Sequence, residues 1–475
     1  GYGARLACGA VLGAGRSLES VLHAELVFPP VKFGRTFTVD RKKGCVTVQA
    51  WWPGAAPAAT ACYRSHRLGC LLLPHGSSSD SVYPLPPMSP EEDTQAREWP
   101  LGDTFVATRH AAAAARVDLP ALQRAVDAHF ADTKLHARAF LLLVDGQIVL
   151  EKYGDGCDEH TRLLGWSASK SVVNALVGLR VQQGALQLDT PLASLVEAWG
   201  DSAHMQSASF EQALRMQDGL DMDEAYVPGG GVTDMLFVGA SVEKVVKHAA
   251  EKGRRPLGEG CFHYSSATTN IIAKALVATF DTLAAALRYP TEALFRPLGA
   301  RSFRLEASAD GAFVGSSFGW ATARDWARLG LLYLNDGMWY KEGATSADPA
   351  LITRRMLPEG WVSFSKQPTA TSSGSYGAHF WLGGNNTAAG DDTAEGQQRS
   401  RECDGIFPTR LDPDRGWLRH AFPQDTFLMH GFEEQCVAIH QASGVVMVRL
   451  GASKEVVLRW DKVQFYKDVF AAVKV

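Results

Sequence analysis

Strand patterns stand at both ends of a long helical block. The early pair lies in the apolar segment 140–154, where Asp145-Gly146 supplies the strongest short signal for a β-hairpin. Between about 165 and 340, apolar residues recur at helical spacing. The strands before and after the helical block are therefore expected to form one sheet, and the helices between them a second lobe. Later strand patterns occur at 376–382, 427–432, 435–440 and 445–450.

This order predicts an α/β protein with an antiparallel sheet flanked by helices and an all-helical lobe. The strand at 140–144 should share a sheet with 445–450, and the groove between the lobes is where a site is expected. Two further regions differ from this pattern. Residues 1–100 contain short strand patterns and a proline-rich stretch, which predict an N-terminal extension and linker. The predicted division is 1–100 and a main domain at 101–475, with the helical lobe at about 160–340 and a polar insertion at about 383–420.

Helix boundaries are indicated by capping residues. Asp118 is the expected cap of a helix with Pro120 in its first turn, and Thr322 with Asp325 forms a start like a capping box. A closing helix is expected after 460. The remaining helices are predicted at 168–183, 209–217, 241–252, 266–280 and 322–335.

The charge balance excludes one class of partner. The chain has 475 residues, with 47 basic and 51 acidic side chains. Such a balance offers no broad basic surface for a nucleic acid backbone. No run approaches the ~20 apolar residues that span a bilayer, so we expect no membrane-spanning segment. Because the sequence begins at Gly1, we expect N-terminal processing and a non-cytosolic location, either mitochondrial or periplasmic and secreted.

Cysteines and common motifs give little support for a metal or cofactor. The eight cysteines contain no C-x-x-C pair, so free buried thiols are the expected state, with one bridge such as Cys8–Cys70 as the alternative. The sequence also lacks a Gly-Lys dipeptide, a G-x-G-x-x-G after a strand and an H-E-x-x-H. We therefore expect no metal and no organic cofactor. A literal G-x-S-x-G at 315–319 lies in a glycine-rich loop and not in a strand-to-helix turn, which favours chance.

The S-x-x-K pattern occurs three times, as Ser167–Lys170, Ser241–Lys244 and Ser363–Lys366. Ser241 reads as a helix cap, and Ser363 lies in a polar stretch with no helix after it. Ser167 begins an unusually apolar helix, on which residues three apart share a face. Burial would lower the pKa of Lys170 and let its amine take the serine proton. The alternative is a capping serine and a surface lysine.

A second element follows a glycine-rich turn. Tyr264 and Ser266 lie between two predicted helices, on a loop that can face the groove, and a tyrosine there can relay a proton. Y-x-[SN] also occurs at Tyr63 and Tyr333, but the first is in the extension and the second is inside a helix. Only Tyr264 lies between helices downstream of Ser167.

In this order the motifs resemble the serine β-lactamase-related (penicillin-recognising) hydrolases, particularly the branch of 6-aminohexanoate-dimer hydrolases and related esterases. The resemblance covers roughly 118–470, which makes it far more specific than any single motif. The matching stretches are FLLLVDGQIVLEKYG, GWSASKSVVNALVG, LRMQDGLDMDEAY, FHYSSATTNIIAKAL, GWATARDWARLGLLYLNDGMW and MHGFEEQCVAIHQASGVVMVRLG.

The resemblance implies a β-lactamase-like fold and a role for each matching residue. Ser167 would be the nucleophile, Lys170 its base partner and Tyr264 the proton relay. The backbone N–H groups of Ser167 and Phe432 would form the oxyanion hole. Substrate contacts would come from Tyr226, for which a packed aromatic is the alternative, and from Ser266 and His430.

One departure narrows the expected activity. Relatives that bind penicillin carry Lys-Thr-Gly where this chain has Met429-His430-Gly431, so the cation that anchors a β-lactam carboxylate is missing. His430 either replaces that charge in part or is satisfied by a neighbour. The resemblance therefore implies a serine hydrolase that cleaves small esters or amides through an acyl-enzyme. The alternative is an idle member of the fold that serves as a structural subunit of a larger assembly.

Overall fold

The computed structural model describes residues 1–27, 35–51, 57–79, 82–87, 96–200, 202–220, 222, 224, 226–227, 230–238, 260–384, 398, 402–403, 417–454 and 460–474. The predicted helix at 241–252, the pair Ser241–Lys244 and most of the insertion at 383–420 lie outside the described residues.

The main sheet of the described chain has six antiparallel strands in the order β12-β13-β14-β15-β5-β6. Val448 pairs with Leu141 and Val446 with Leu143, which confirms that the two chain segments share one sheet. A four-stranded sheet, β1 to β4 in order, lies in the N-terminal region, and β7-β9-β8 and β10-β11 form smaller sheets. The strands are β1 (Arg35–Asp40), β2 (Cys45–Ala50), β3 (Ala59–Ser65), β4 (Gly69–Leu72), β5 (Ala137–Val144), β6 (Gln147–Tyr153), β7 (Leu163–Leu164), β8 (Arg304–Leu305), β9 (Gly319–Ala321), β10 (Met338–Tyr340), β11 (Ile352–Arg355), β12 (Trp381–Leu382), β13 (Phe427–Gly431), β14 (Gln435–His440) and β15 (Val445–Gly451).

The predicted hairpin is present, since β5 and β6 are joined at Asp145 and Gly146, both at positive φ. The predicted strand at 376–382 is wrong in extent, because only Trp381–Leu382 pairs with β13. Before it, Ser372 and Ser375 bond by their hydroxyls to carbonyls three residues back, at 2.7 and 2.6 Å. These side chains stabilise turns instead of a strand.

Most predicted helices form close to their expected bounds. Asp118 and Thr322 cap their helices by accepting from the backbone N–H three residues on. The helix predicted at 209–217 ends earlier, at Leu214, and Met216 then takes a positive φ of 57°. The helices are α1 (Tyr2–Ala7), α2 (Leu18–Ala24), α3 (Ala107–Ala115), α4 (Leu119–Ala131), α5 (Ser169–Gln182), α6 (Ala203–Ser207), α7 (Phe210–Leu214), α8 (Gly231–Phe237), α9 (Ser266–Ala278), α10 (Leu283–Tyr289), α11 (Ala323–Leu334), α12 (Trp361–Lys366), α13 (Trp417–Ala421) and α14 (Lys462–Ala471).

Helix α5 runs through the interior of the molecule. Its residues from Ser169 to Leu179 are all buried, and the polar side chains of Lys170, Ser171 and Asn174 are hydrogen-bonded there. Gly178 allows close contact with Trp361, since a Cβ there would lie 2.7 Å from that ring. The first turn of this helix is therefore held in a fixed position by packing.

The N-terminal extension packs directly on the rest of the chain. Arg5 on α1 pairs with Glu306 at 3.0 Å, and both side chains are buried. Gly9 lies so close to Trp320 that a Cβ would approach its ring to 2.3 Å. In the described residues, no helix has the length and apolar character needed to cross a membrane.

The expectation of free thiols is wrong for six of the eight cysteines. The bridges are Cys8–Cys70, Cys45–Cys62 and Cys261–Cys403, while Cys157 and Cys436 are free. The Cys8–Cys70 alternative is confirmed. The Cys45–Cys62 bridge follows from strand register, because the two residues lie opposite each other on β2 and β3. Such a pairing could be read only from the assembled sheet.

Candidate active site

Ser167 lies in a single 3₁₀ turn, Trp166–Ala168, that leads directly into α5. Trp166 takes a positive φ of 48°, which turns the chain sharply before the helix. Gly165 is required here because a Cβ would approach the Trp326 ring to 2.2 Å. Ser167 remains half-buried at the start of a buried helix, so its hydroxyl can meet a substrate.

The amine of Lys170 is held by three oxygen acceptors. Its Nζ lies 3.2 Å from Ser167 Oγ, 3.0 Å from Ser266 Oγ and 3.1 Å from the carbonyl of Ser316. The residue is only 2% exposed. The alternative of a surface lysine is therefore wrong, and the amine is positioned against the Ser167 hydroxyl as a base partner must be.

A hydrogen-bond chain continues beyond Lys170 to a carboxylate. Ser266 donates from Oγ to Glu224 Oε2 at 3.0 Å, and its backbone N–H also donates to Glu224. Ser266 is fully buried, so its hydroxyl serves this chain instead of the open groove. Sequence reasoning missed Glu224. Its only signal was its place two residues before Tyr226 in a matching stretch.

Tyr264 packs beneath the same amine. The Lys170 Nζ lies 4.8 Å from the centre of the Tyr264 ring, and Tyr264 is 4% exposed. The ring contacts Trp381 and Tyr376 at centroid distances of 5.0 and 5.7 Å. Tyr264 thus belongs to the same cluster as Ser167 and Lys170. The hydroxyl-to-hydroxyl contact with Ser167 stays a prediction.

The end of β13 meets the turn that carries Ser167. A Cβ on Gly431 would lie 2.2 Å from the Gly165 carbonyl and 3.0 Å from the Ser167 nitrogen. Only glycine allows this approach, which brings the backbone of Gly431, directly before Phe432, next to that of Ser167. Two such N–H groups can stabilise an oxyanion. This oxyanion hole remains a prediction.

Tyr226 and Phe432 stack at 5.3 Å with ring planes 17° apart. The edge of Trp166 contacts both rings, at 6.2 and 5.5 Å. Burial raises the pKa of the Tyr226 phenol well above its ordinary value, so the phenol is neutral. The structure therefore shows Tyr226 as part of an aromatic cluster beside Ser167.

His430 points toward a neighbouring carboxylate. Its Nε2 lies 3.5 Å from Glu434 Oε2, and Glu434 also pairs with Lys462 at 3.0 Å. The ring contacts Trp417 at 5.8 Å. These contacts agree with the second alternative for His430, in which a neighbouring side chain satisfies the imidazole. A substrate contact by His430 stays a prediction.

The other serine patterns have different surroundings. The prediction that no helix follows Ser363 is wrong, since this residue lies exposed within α12 and the helix continues to Lys366. Lys366 donates instead to Gln441 Oε1 at 2.8 Å. The G-x-S-x-G at 315–319 forms no nucleophile elbow, yet its Ser316 carbonyl accepts from Lys170.

The side chain of Asp218 is a buried carboxyl group that contacts α9, the helix that begins at Ser266. Both of its oxygens lie 3.0 Å from Thr268 Oγ1 on α9, and burial raises its pKa from 3.8 to about 7. The folded protein therefore holds this proton over a pH range in which the unfolded chain has lost it. The free energy of unfolding that the retained proton contributes is fully present below about pH 4 and is lost as the pH rises through 7.

We expect Asp218→Asn to remove this fall in stability between pH 4 and pH 8. The neutral amide keeps the shape and an acceptor, so the variant should gain about 1–3 kcal/mol over wild type at pH 8 and almost nothing at pH 4. Urea unfolding at both pH values measures this. The matched control is Asp336→Asn, whose side chain is 49% exposed. An equal effect of Asp218→Asn at both pH values would contradict the prediction.

The sheet, the inserted helices and the serine at the start of a buried helix define a protein of the β-lactamase-like fold class. The family model described as Beta-lactamase matches residues 122–450, so the chain belongs to the beta-lactamase family. The chain thus belongs to a family of hydrolases of the serine esterase, amidase and beta-lactamase type.

Individual relatives agree with this assignment. The 6-aminohexanoate-dimer hydrolase of Paenarthrobacter ureafaciens is 28% identical over 291 residues, which are 51% of this chain and 69% of that protein. A structure described as a 6-aminohexanoate-dimer hydrolase from Bacillus anthracis has a TM-score of 0.52 and 15% identity, covering 72% of this chain and 80% of that one. A family VIII carboxylesterase has a TM-score of 0.50 and 14% identity, covering 74% and 96%. The two structures show the shared fold.

Proposed function

We propose that this protein hydrolyses small esters or amides through an acyl-enzyme formed on Ser167. The observation that carries the proposal is the buried Lys170 amine, 3.2 Å from the Ser167 hydroxyl. In its uncharged form this amine accepts the serine proton as the oxygen attacks the substrate carbonyl. The relatives include one named for an amide dimer and one named as a carboxylesterase, which supports both bond types.

The remaining steps use groups around the same serine. The N–H groups of Ser167 and Phe432 hold the oxyanion, and each such donor is typically worth ~3–4 kcal/mol. The proton that Lys170 took from Ser167 passes through Tyr264 to the departing alcohol or amine, so the amine is uncharged again. Lys170 then accepts a proton from the water that attacks the acyl group, and that proton returns to the Ser167 oxygen as the acid leaves. Ser266 and Glu224 fix the amine by the hydrogen-bond chain described above, so Lys170 stays directed at Ser167 through both halves of the reaction.

The test is labelling of the wild-type chain with a fluorophosphonate, followed by intact mass and peptide mapping. We expect one adduct per chain, on the peptide that contains Ser167, together with turnover of p-nitrophenyl acetate. Denatured protein is the control and should not label. A folded wild-type chain that neither labels nor turns over the ester would overturn the enzyme reading and favour a structural subunit.

We also propose an oxidising compartment for the chain. Three disulfides support it, because reducing cytosol disfavours such bonds. Non-reducing peptide mapping of protein from its native source, quenched with an alkylating agent, tests this. Thiols at Cys8, Cys70, Cys45 and Cys62 in that material would overturn it.

A further inference from the structure

Helix α1 of the N-terminal extension reaches the turn that carries the nucleophile. The Tyr2 ring lies 6.4 Å from Trp166 with the planes 20° apart, and it meets the edge of Phe237 at 4.7 Å. Trp166 is the residue directly before Ser167. A residue near the start of the extension is therefore a neighbour of the catalytic centre.

This helix is fixed in place by buried contacts on several sides. Arg5, one turn after Tyr2, pairs with Glu306 and donates to the Leu236 carbonyl at 3.1 Å. Its guanidinium lies 3.8 Å from the centre of the Phe318 ring. The Cys8–Cys70 bridge then ties the following turn to β4. These contacts hold α1, and with it Tyr2, against the main domain.

Tyr2 completes an aromatic wall, by which we mean Tyr2, Trp166, Tyr226, Phe237 and Phe432. Each ring contacts at least one other member, and the centre of the Tyr226 ring lies 6.4 Å from that of Phe237 and 5.3 Å from that of Phe432. Phe432 is 42% exposed, while Tyr2 and Tyr226 are half-buried. Part of the aromatic surface is thus exposed, mainly at Phe432, while Trp166 and Phe237 are buried.

The wall presents little uncompensated charge. Glu433, behind Trp166, pairs with Lys454 at 3.1 Å, and Arg5 pairs with Glu306. Burial raises the pKa of the Tyr2 phenol well above its ordinary value, so the phenol is neutral. Such a surface favours a flat apolar group, because aromatic rings gain from stacking beyond the area that they bury.

Tyr264, which the mechanism assigns to the leaving group, packs instead against Tyr376 and Trp381. None of these three belongs to the wall. Under the proposed mechanism the leaving group departs on the Tyr264 side, which leaves the side of the wall for the acyl group.

Resting on the proposed function, we propose that Tyr2 is a specificity-determining residue that selects substrates with an aromatic acyl group. The extension then contributes to the active site itself. Removal of the ring should weaken binding of the aromatic acyl group in the transition state and leave a small acyl group almost unaffected.

The test compares p-nitrophenyl phenylacetate with p-nitrophenyl acetate. We expect Tyr2→Leu to lower kcat/KM for the phenylacetate by about tenfold and for the acetate by less than about twofold. Tyr2→Phe keeps the ring and should retain the wild-type ratio. The matched control is Trp51→Leu, which removes a 73% exposed aromatic from the same extension and should change neither value.

Two results would overturn the inference. One is an unchanged ratio of the two kcat/KM values in Tyr2→Leu. The other is an equal loss for both esters, which would make Tyr2 a structural support alone. Failure of the proposed function would look different, because the wild-type chain would then hydrolyse neither ester and would not label.

Discussion

Ser167→Ala is expected to abolish fluorophosphonate labelling and to lower kcat/KM for p-nitrophenyl acetate by at least about a thousandfold. The variant removes the oxygen that forms the acyl-enzyme and leaves the backbone donors in place. Ser266 is the other hydroxyl on the Lys170 amine, at 3.0 Å, but it is fully buried and donates to Glu224. It cannot replace Ser167, because a substrate carbonyl has no access to it.

The matched control is Ser363→Ala, which changes the serine of another S-x-x-K pattern. Ser363 is exposed on α12, and its lysine partner donates elsewhere. We expect this variant to label and turn over as wild type does. Thermal unfolding of both variants checks that the fold is kept. Labelling of Ser167→Ala at the wild-type rate would place the nucleophile elsewhere and refute the mechanism.

Local signals in the sequence predicted the parts of the fold that depend on local physics. A hairpin follows from Asp145-Gly146 between apolar runs, and the buried face of α5 follows from its continuous apolar pattern. A spacing of three residues puts Ser167 and Lys170 on one helical face, although Lys366, at the same spacing from Ser363, donates to Gln441. These features are decided within a few residues of the chain, so they can be derived before the tertiary structure is known.

Other features depend on contacts between distant segments. Tyr2 reaches Trp166 only because Arg5, Glu306 and a disulfide hold α1 against the main domain. Nothing in the sequence near Tyr2 indicates that destination. The same is true of Glu224, whose role is visible only once Ser266 lies between it and Lys170.

The failed strand at 376–382 has a related cause. The pattern there is apolar enough for a strand, but the serines before it offer the backbone competing hydrogen bonds. His379, inside this stretch, also takes a positive φ of 59°, which is incompatible with an extended strand. Hydrophobic pattern alone could not weigh these side-chain bonds against a sheet.

Lys170→Met is expected to lower kcat for p-nitrophenyl acetate by roughly 10²–10⁴-fold, the usual contribution of a positioned base. Methionine fills nearly the same buried space, so Ser167 keeps its turn and its backbone donors. It cannot accept a proton, and the serine hydroxyl is then a weak nucleophile. Fluorophosphonate should therefore still label Ser167, but at a rate reduced by a similar factor.

The control for this variant is Lys366→Met, which has the same spacing from a serine and donates to Gln441 at 2.8 Å. It should leave kcat unchanged, because its amine does not contact a nucleophile. Time-resolved mass spectrometry gives the labelling rate, and steady-state assays give kcat and KM separately.

If Lys170→Met kept kcat within a few fold of wild type, another group would have to be the base. A reduced kcat with normal thermal unfolding assigns the loss to the missing amine, since the close backbone approaches at Gly165 and Gly431, which do not involve Lys170, remain in the variant.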